Sequence, residues 1–274
     1  MDGESKMNLE MNTRTLVMGI LNITPDSFSD GGQFDNVEQA VAHAKQMLVD
    51  GADIIDIGGE STRPGHTQIS DEQEIARVVP VIRALAQQTE AVISIDTYKS
   101  TVARAAVEAG AHIINDVWGA KYDSEIARVA ANTQTPIILM HNRPKASYDN
   151  FWQEVKEDLE ASIYIAREAG VPDEHIWIDP GIGFAKTLAQ NVEMMQRLDQ
   201  FVALGYPVLL GTSRKSFIGK LLDVNVDERL EGSLATVAFG VMKGCRIVRV
   251  HDVKETVRTV RMMDVLTGMK KVEG

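Results

Sequence analysis

The chain has 274 residues, 44% hydrophobic and 24% charged, which is ordinary globular composition with enough apolar material for a full core. Its 28 Lys and Arg against 39 Asp and Glu give a formal net charge of −11. That balance argues against nucleic acid or an anionic membrane as partner, and leaves a small anion held by a local basic cluster open. The single cysteine, Cys245, excludes an internal disulfide and a Cys-rich zinc site, and fits the reducing cytoplasm.

Met1 to Thr13 is polar and has no apolar core, so a loosely ordered tail is expected there rather than a signal peptide. One domain is expected over 14–274. No apolar run approaches the roughly 18 residues that a membrane span requires.

From there, short apolar runs alternate with amphipathic stretches to the end of the chain. Strands are predicted at Leu16–Leu21, Ile54–Ile57, Val92–Ile95, His112–Ile114, Ile137–Met140, Ile176–Ile178, Pro207–Leu210 and Arg246–Val250. Continuous apolar runs of this length suit parallel strands covered on both faces. Helices are predicted at Val37–Val49, Asp71–Gln87, Thr101–Ala109, Asp123–Ala131, Trp152–Ala169, Val192–Leu204, Leu230–Met242 and Thr256–Leu266. Gly51, Gly110, Gly170 and Gly205 each follow a helical pattern as stop signals. Asp71 opens a D-x-x-E pattern ending at Glu74, which reads as an N-cap with its capping box. Eight strand–helix units make an α/β protein with a parallel sheet. No G-x-G-x-x-G follows the first strand and no linker divides the chain, so a single (β/α)8 TIM barrel is favoured over an open doubly wound sheet.

In such barrels the site is built at the C-terminal ends of the strands. Here those ends are polar in chain order. They carry Asn22, Asp56, Asp96, Asn115–Asp116, His141–Asn142–Arg143, Asp179–Pro180–Gly181 and Gly211–Thr212–Ser213–Arg214–Lys215–Ser216. The last strand carries Arg249 and His251, two residues apart and so on one face. Any one of these could equally cap the next helix. Together they place carboxylates, amides and cations on one concave face, the mark of a small-molecule site.

Asp96, Asn115, Asp179 and Lys215 offer acceptors, an amide and a cationic donor, the mixture that the edge of a flat heterocycle demands. Arg249, His251 and Asn22 suggest an oxyanion site beside it, with Asn22 as a neutral oxygen ligand for Mg²⁺. For Arg249 a salt bridge inside the barrel is the alternative. The loops after the first two strands are long and rich in Gly, Ser and Pro, as lids and binding loops are. The histidines lack H-x-x-x-H or H-E-x-x-H spacing, which speaks against zinc.

Two long stretches, M-G-I-L-N-I-T-P-D-S-F-S-D-G-G at Met18–Gly32 and D-I-G-G-E-S-T-R-P-G at Asp56–Gly65, resemble the signatures of the dihydropteroate synthase family. D-P-G-I-G-F at Asp179–Phe184, G-T-S-R-K-S-F at Gly211–Phe217 and R-V-H at Arg249–His251 follow in matching order. The resemblance implies an enzyme that joins a dihydropterin pyrophosphate to p-aminobenzoate, the substrate that sulfonamides mimic. It implies that Asp96, Asn115, Asp179 and Lys215 hold the pterin, with Met140 and Gly211 lining its pocket. Asn22, Thr62, Arg63, Arg249 and His251 would bind the pyrophosphate, and Asn22 the Mg²⁺. Phe28, Arg63, Pro64, Phe184, Lys215 and Ser216 would surround p-aminobenzoate, and the first two loops, including Asp30, would close over the site. Lys215, Asp96, Asp179, Asn22, Arg249 and His251 would carry the chemistry, in a cytoplasmic homodimer. A pterin-binding methyltransferase of the methyltetrahydrofolate:corrinoid type and a non-catalytic pterin-binding paralogue are the competing readings. The S-T-R-P and R-x-H stretches disfavour the first, which has no pyrophosphate to bind.

Overall fold

The computed structural model describes residues 9, 11, 13–23, 33–61 and 67–271. Eight strands run in chain order: β1 (Leu16–Asn22), β2 (Ile54–Gly58), β3 (Val92–Asp96), β4 (Ile113–Asp116), β5 (Ile137–Met140), β6 (Ile176–Asp179), β7 (Leu209–Leu210) and β8 (Ile247–Val250). The helices are α1 (Gln33–Val49), α2 (Asp71–Gln88), α3 (Ser100–Ala109), α4 (Glu125–Thr133) and α5 (Phe151–Glu168), followed by α6 (Leu188–Gln196), α7 (Leu198–Val202), α8 (Ser216–Leu222), α9 (Leu230–Met242) and α10 (Val253–Leu266).

The strands pair in parallel in the order β6-β5-β4-β3-β2-β1-β8-β7. A bridge between Ile178 and Val208, with Ile178 N donating to Pro207 O at 2.9 Å, closes β6 onto β7. The result is the expected (β/α)8 barrel. Alternate strand residues go to two different cores, which is why the sequence reads as continuously apolar. Leu16, Met18, Ile54, Val92, Ile113, Ile138, Trp177, Leu209 and Ile247 fill the barrel interior. Their neighbours Val17, Ile55, Ile93 and Ile137 pack outward against the helices. Each such aliphatic side chain contributes about 1.5–3 kcal/mol when fully buried. Leu9 and Met11, within the stretch read as a tail, pack against the inner cluster.

Several local details differ from the sequence reading, the following among them. The N-cap of α2 is Ser70, one residue earlier than expected, with Gln73 completing the capping box. Both registers satisfy the pattern, and Glu74 is withdrawn from capping because it is buried against Lys99, 2.8 Å from Nζ. The helix expected over Val192–Leu204 begins earlier, at Leu188 behind the Thr187 cap, and breaks at Arg197 into α6 and α7. The helix α8 has no counterpart in the predicted elements: its seven residues span two turns, too few for a periodic signal. Pro207 lies outside β7, where its carbonyl serves β6 and its missing N–H costs nothing.

Candidate active site

The register of the sheet sets the level of the mouth. Asn22 is the Cα partner of Gly58, Gly58 of Asp96, and Asp96 of Asn115. Across the barrel, Met140 is the partner of Asp179. Four residues of the expected pterin set therefore stand at the strand ends: Asp96, Asn115, Asp179 and Met140, each no more than 5% exposed. Lys215 reaches the same place from the residue before α8. A side chain at Gly211 would lie 3.8 Å from Lys215 Nζ, 3.9 Å from Asp179 Oδ2 and 3.9 Å from Arg249 Cβ, so these three converge on Gly211. Likewise a side chain at Gly58 would meet Asn22 Oδ1 and Asp96 Oδ2, each at 3.6 Å.

Arg249 sits inside the barrel mouth. Its Nε donates to Asp56 Oδ2 and its Nη2 to Asp96 Oδ2, each at 2.6 Å. Asn115 Nδ2 also donates to Asp56 Oδ2, at 3.2 Å. Asp56, fully buried, thus ties Arg249 to Asn115. The sequence reading noted Asp56 only as a strand end. The available signal was alternation: Ile54 points into the barrel, so Asp56 does too.

Burial dominates the electrostatics. It pushes Asp96 up to about 7, with Asp56, Glu74 and Asp116 adding to the rise and Arg249 opposing it. Burial also raises Asp179, against the attraction of Lys215 and the Gly181 N–H. It pushes Lys215 down to about 8, with Asp179 opposing. One oxygen of each of two carboxylates, Asp56 Oδ1 and Asp96 Oδ1, is buried without a hydrogen-bond partner among the described residues. Buried acceptors are rarely left so, and a ligand edge bearing N–H groups would satisfy the one at the mouth.

Around this centre, Phe184 packs with Tyr98, Val117, Trp118 and Met140. Lys215 Nζ stands 4.9 Å from the Phe184 ring centroid and donates to Ile182 O. Ser216 opens α8 and is exposed. His251 is exposed just beyond β8; its Nδ1 lies 3.0 Å from Ser213 Oγ, which also accepts from His251 N at 3.1 Å. Phe28, Asp30, Thr62, Arg63 and Pro64 lie outside the described residues. Glu60 and Ile69, described on either side of the last three, are joined through a buried cluster that the sequence analysis does not single out. Glu60 accepts from Lys99 Nζ at 2.6 Å, from Tyr98 Oη at 2.5 Å and from Ile69 N at 3.1 Å.

The family described as pterin binding enzyme matches residues 18–251. A dihydropteroate synthase of Bacillus subtilis (strain 168) is 55% identical over 258 residues, covering 94% of this chain and 90% of its own. Among solved structures, a dihydropteroate synthase of Clostridium difficile crystallised in the presence of pteroic acid superposes with a TM-score of 0.92 at 48% identity, over 94% of this chain and 98% of that one. That of Xanthomonas albilineans with 4-aminobenzoic acid gives 0.88 at 43% identity, over 96% of this chain and 95% of that one. The chain belongs to the pterin-binding enzyme family, and within it to the dihydropteroate synthases.

Proposed function

We propose that the chain condenses 6-hydroxymethyl-7,8-dihydropterin pyrophosphate with p-aminobenzoate, giving 7,8-dihydropteroate and pyrophosphate. The observation that carries this reading is the convergence of Asp179, Lys215 and Arg249 on Gly211, beside an Asp96 with one buried, unpartnered oxygen. Pteroic acid and 4-aminobenzoic acid, named with the two solved relatives, correspond to the pterin–aminobenzoate skeleton and to one substrate.

In this reading Asp179 and Asp96 accept from the ring N–H and amino groups, Asn115 supplies both a donor and an acceptor, and Lys215 donates to the ring carbonyl or nitrogen. The CH2–O bond breaks first and its electron pair leaves on pyrophosphate. The remaining cation is delocalised over the dihydropterin, near the negative charge of Asp96 and Asp179. The amine nitrogen then closes the C–N bond and gives up its proton to the released pyrophosphate or to water. Arg249 spends two of its five N–H groups on Asp56 and Asp96, which leaves donors for the departing anion beside His251. Phe184, Lys215 and Ser216, with Phe28, Arg63 and Pro64, would surround the amine, and Thr62 and Arg63 would join the anion site. No covalent nucleophile is needed.

The donor set suits magnesium. Asn22 offers one neutral oxygen at the mouth, and among the described residues no three His, Cys, Asp or Glu side chains gather for a metal. Mg²⁺ suits such a place because phosphate oxygens and water supply most of its coordination. Asn22 would hold it, and when bound it would neutralise charge on the leaving pyrophosphate.

The deciding experiment is incubation with both substrates and assay of released pyrophosphate. A methyltransferase would release none, and a non-catalytic paralogue would turn nothing over. A cytoplasmic homodimer completes the proposal, supported by the single buried thiol Cys245 and by exposed Met242, Met262 and Leu266 on α9 and α10. Light scattering should then give twice the 30.1 kDa chain mass.

A further inference from the structure

The turn between β6 and α6 is held in an unusual backbone path. Gly181, Gly183 and Ala185 have φ of 67°, 85° and 43°, all in the left-handed region. For Ala185, which carries a Cβ, that conformation is strained. At Gly181 a Cβ would lie 2.0 Å from His141 O, so the turn is pressed against the end of β5. Such a path persists only where the surroundings over-determine it.

Lys186 is at the centre of those surroundings. Its Nζ lies 2.9 Å from Gly181 O, 3.2 Å from Phe184 O and 2.8 Å from His141 Nδ1. An ammonium has three N–H groups, and three acceptors stand around it. His141 is completely buried, and its other nitrogen, Nε2, lies 3.1 Å from Asp158 Oδ2. Asp158 is fixed in turn by Arg143 Nε at 2.9 Å. Burial pushes His141 down to about 4, although Asp158 opposes this, so the ring is neutral near pH 7. With its proton on Nε2, donated to Asp158, Nδ1 remains an acceptor for Lys186. Burial also pushes Lys186 down to about 7, with Asp179 opposing. As ammonium or as amine it keeps the two N–H donors that the carbonyls require.

The two carbonyls that Lys186 holds flank the groups facing the amine side of the site. Between them lies Ile182 O, which accepts from Lys215 Nζ, and Phe184 is the residue whose ring Lys215 overlies. We propose that Lys186, aligned by the His141–Asp158 pair, is a positioning residue that sets Phe184 and Lys215 for the aromatic amine. This rests on the reaction proposed above. The backbone of Asp179 is held by the sheet, where His141 N donates to Asp179 O at 2.8 Å, while its Oδ1 also accepts from Gly181 N of the turn at 2.6 Å. Phe184 is assigned to the amine and not to the pterin, so the effect falls on the amine more than on the pterin.

The test is steady-state kinetics, read as pyrophosphate release, on the wild type, Lys186→Met and Asp158→Asn. Release by the wild type establishes the reaction separately, so the variants bear on Lys186 alone. Loss of charge-assisted hydrogen bonds in Lys186→Met should raise the KM for p-aminobenzoate about tenfold, with kcat and the KM for the pterin pyrophosphate changing less than about threefold. Asp158→Asn leaves Lys186 in place but frees the His141 tautomer, and should move the same KM in the same direction by about threefold. Circular dichroism checks that each variant is folded. An unchanged amine KM in folded Lys186→Met, or equal losses for both substrates, overturns the proposal. If Lys186→Met does not fold, an unchanged amine KM in Asp158→Asn overturns it.

Discussion

Arg249 on β8 and Asp96 on β3 meet across the barrel mouth, guanidinium Nη2 to carboxylate Oδ2 at 2.6 Å, although 153 residues separate them in the chain. The same guanidinium reaches Asp56 at 2.6 Å. Removing the cation leaves two buried carboxylates facing each other, the situation in which a broken buried pair is most costly. Arg249→Met should therefore lower stability by about 3–5 kcal/mol in urea unfolding. Because Arg249 also aligns Asp96, the variant should weaken a pterin that lacks the pyrophosphate as well as one that carries it. A selective loss of the pyrophosphate form alone would place Arg249 on the anion only.

Asp179 Oδ1 accepts from Gly181 N at 2.6 Å, which leaves the other oxygen toward Lys215 and the pocket. In Asp179→Asn the single remaining oxygen would stay with the Gly181 N–H. The amide NH2 would then face the pterin donors, replacing attraction with a clash of donors. Pterin affinity measured by calorimetry should fall by about 1.5–3 kcal/mol. Unchanged affinity would remove Asp179 from the site.

Lys99 lies between Glu60 at 2.6 Å and Glu74 at 2.8 Å, with all three side chains no more than 6% exposed. Burial disfavours its charge, but the two carboxylates prevail and raise its pKa. Lys99→Met would strand both acids and should cost about 3–5 kcal/mol. Thermal melting should record this as a fall of roughly 10 °C. Restoration of the melting temperature by adding Glu60→Gln and Glu74→Gln would show that stranded charge is the cause. A melting temperature within a degree of wild type in the single variant would show that the pair contributes little.

His141 supplies a pH dependence whose sign follows from its burial. Its pKa is about 4 in the folded chain and about 6.5 when unfolded. Between those values the unfolded chain binds a proton that folded His141 refuses, so stability falls as pH falls from about 6.5 to about 4. The contribution is on the order of 3 kcal/mol across that window. Urea unfolding at pH 7 and pH 4.5 should therefore show a smaller loss in His141→Gln than in the wild type. Equal losses would mean that His141 is not held neutral.

The barrel was legible because eight apolar runs and their polar ends recur in the sequence with little interruption. Short-range signals succeeded where one partner dominates: Gly51, Gly110, Gly170 and Gly205 all adopt the positive φ that a helix stop requires. They failed where two local solutions compete, as at Ser70 and Asp71, or where an element is too short to show a period, as in α8.

Local pattern alone places the polar residues at the mouth, since each stands at or near the end of a parallel strand. Asp96, Asn115, Asp179, Lys215 and Arg249 all follow on that ground. What each of them touches is set by closure of the ring and by register, which bring together groups far apart in the chain. Asp56 meets Arg249 over 193 residues, and Lys186 meets His141 over 45. No local pattern encodes those partners, because any acid at a strand end looks alike until the strands are in register. The pairing of Arg249 with two acids, the buried Lys99 cluster and the lysine beneath the β6 turn were therefore decided only by the tertiary structure.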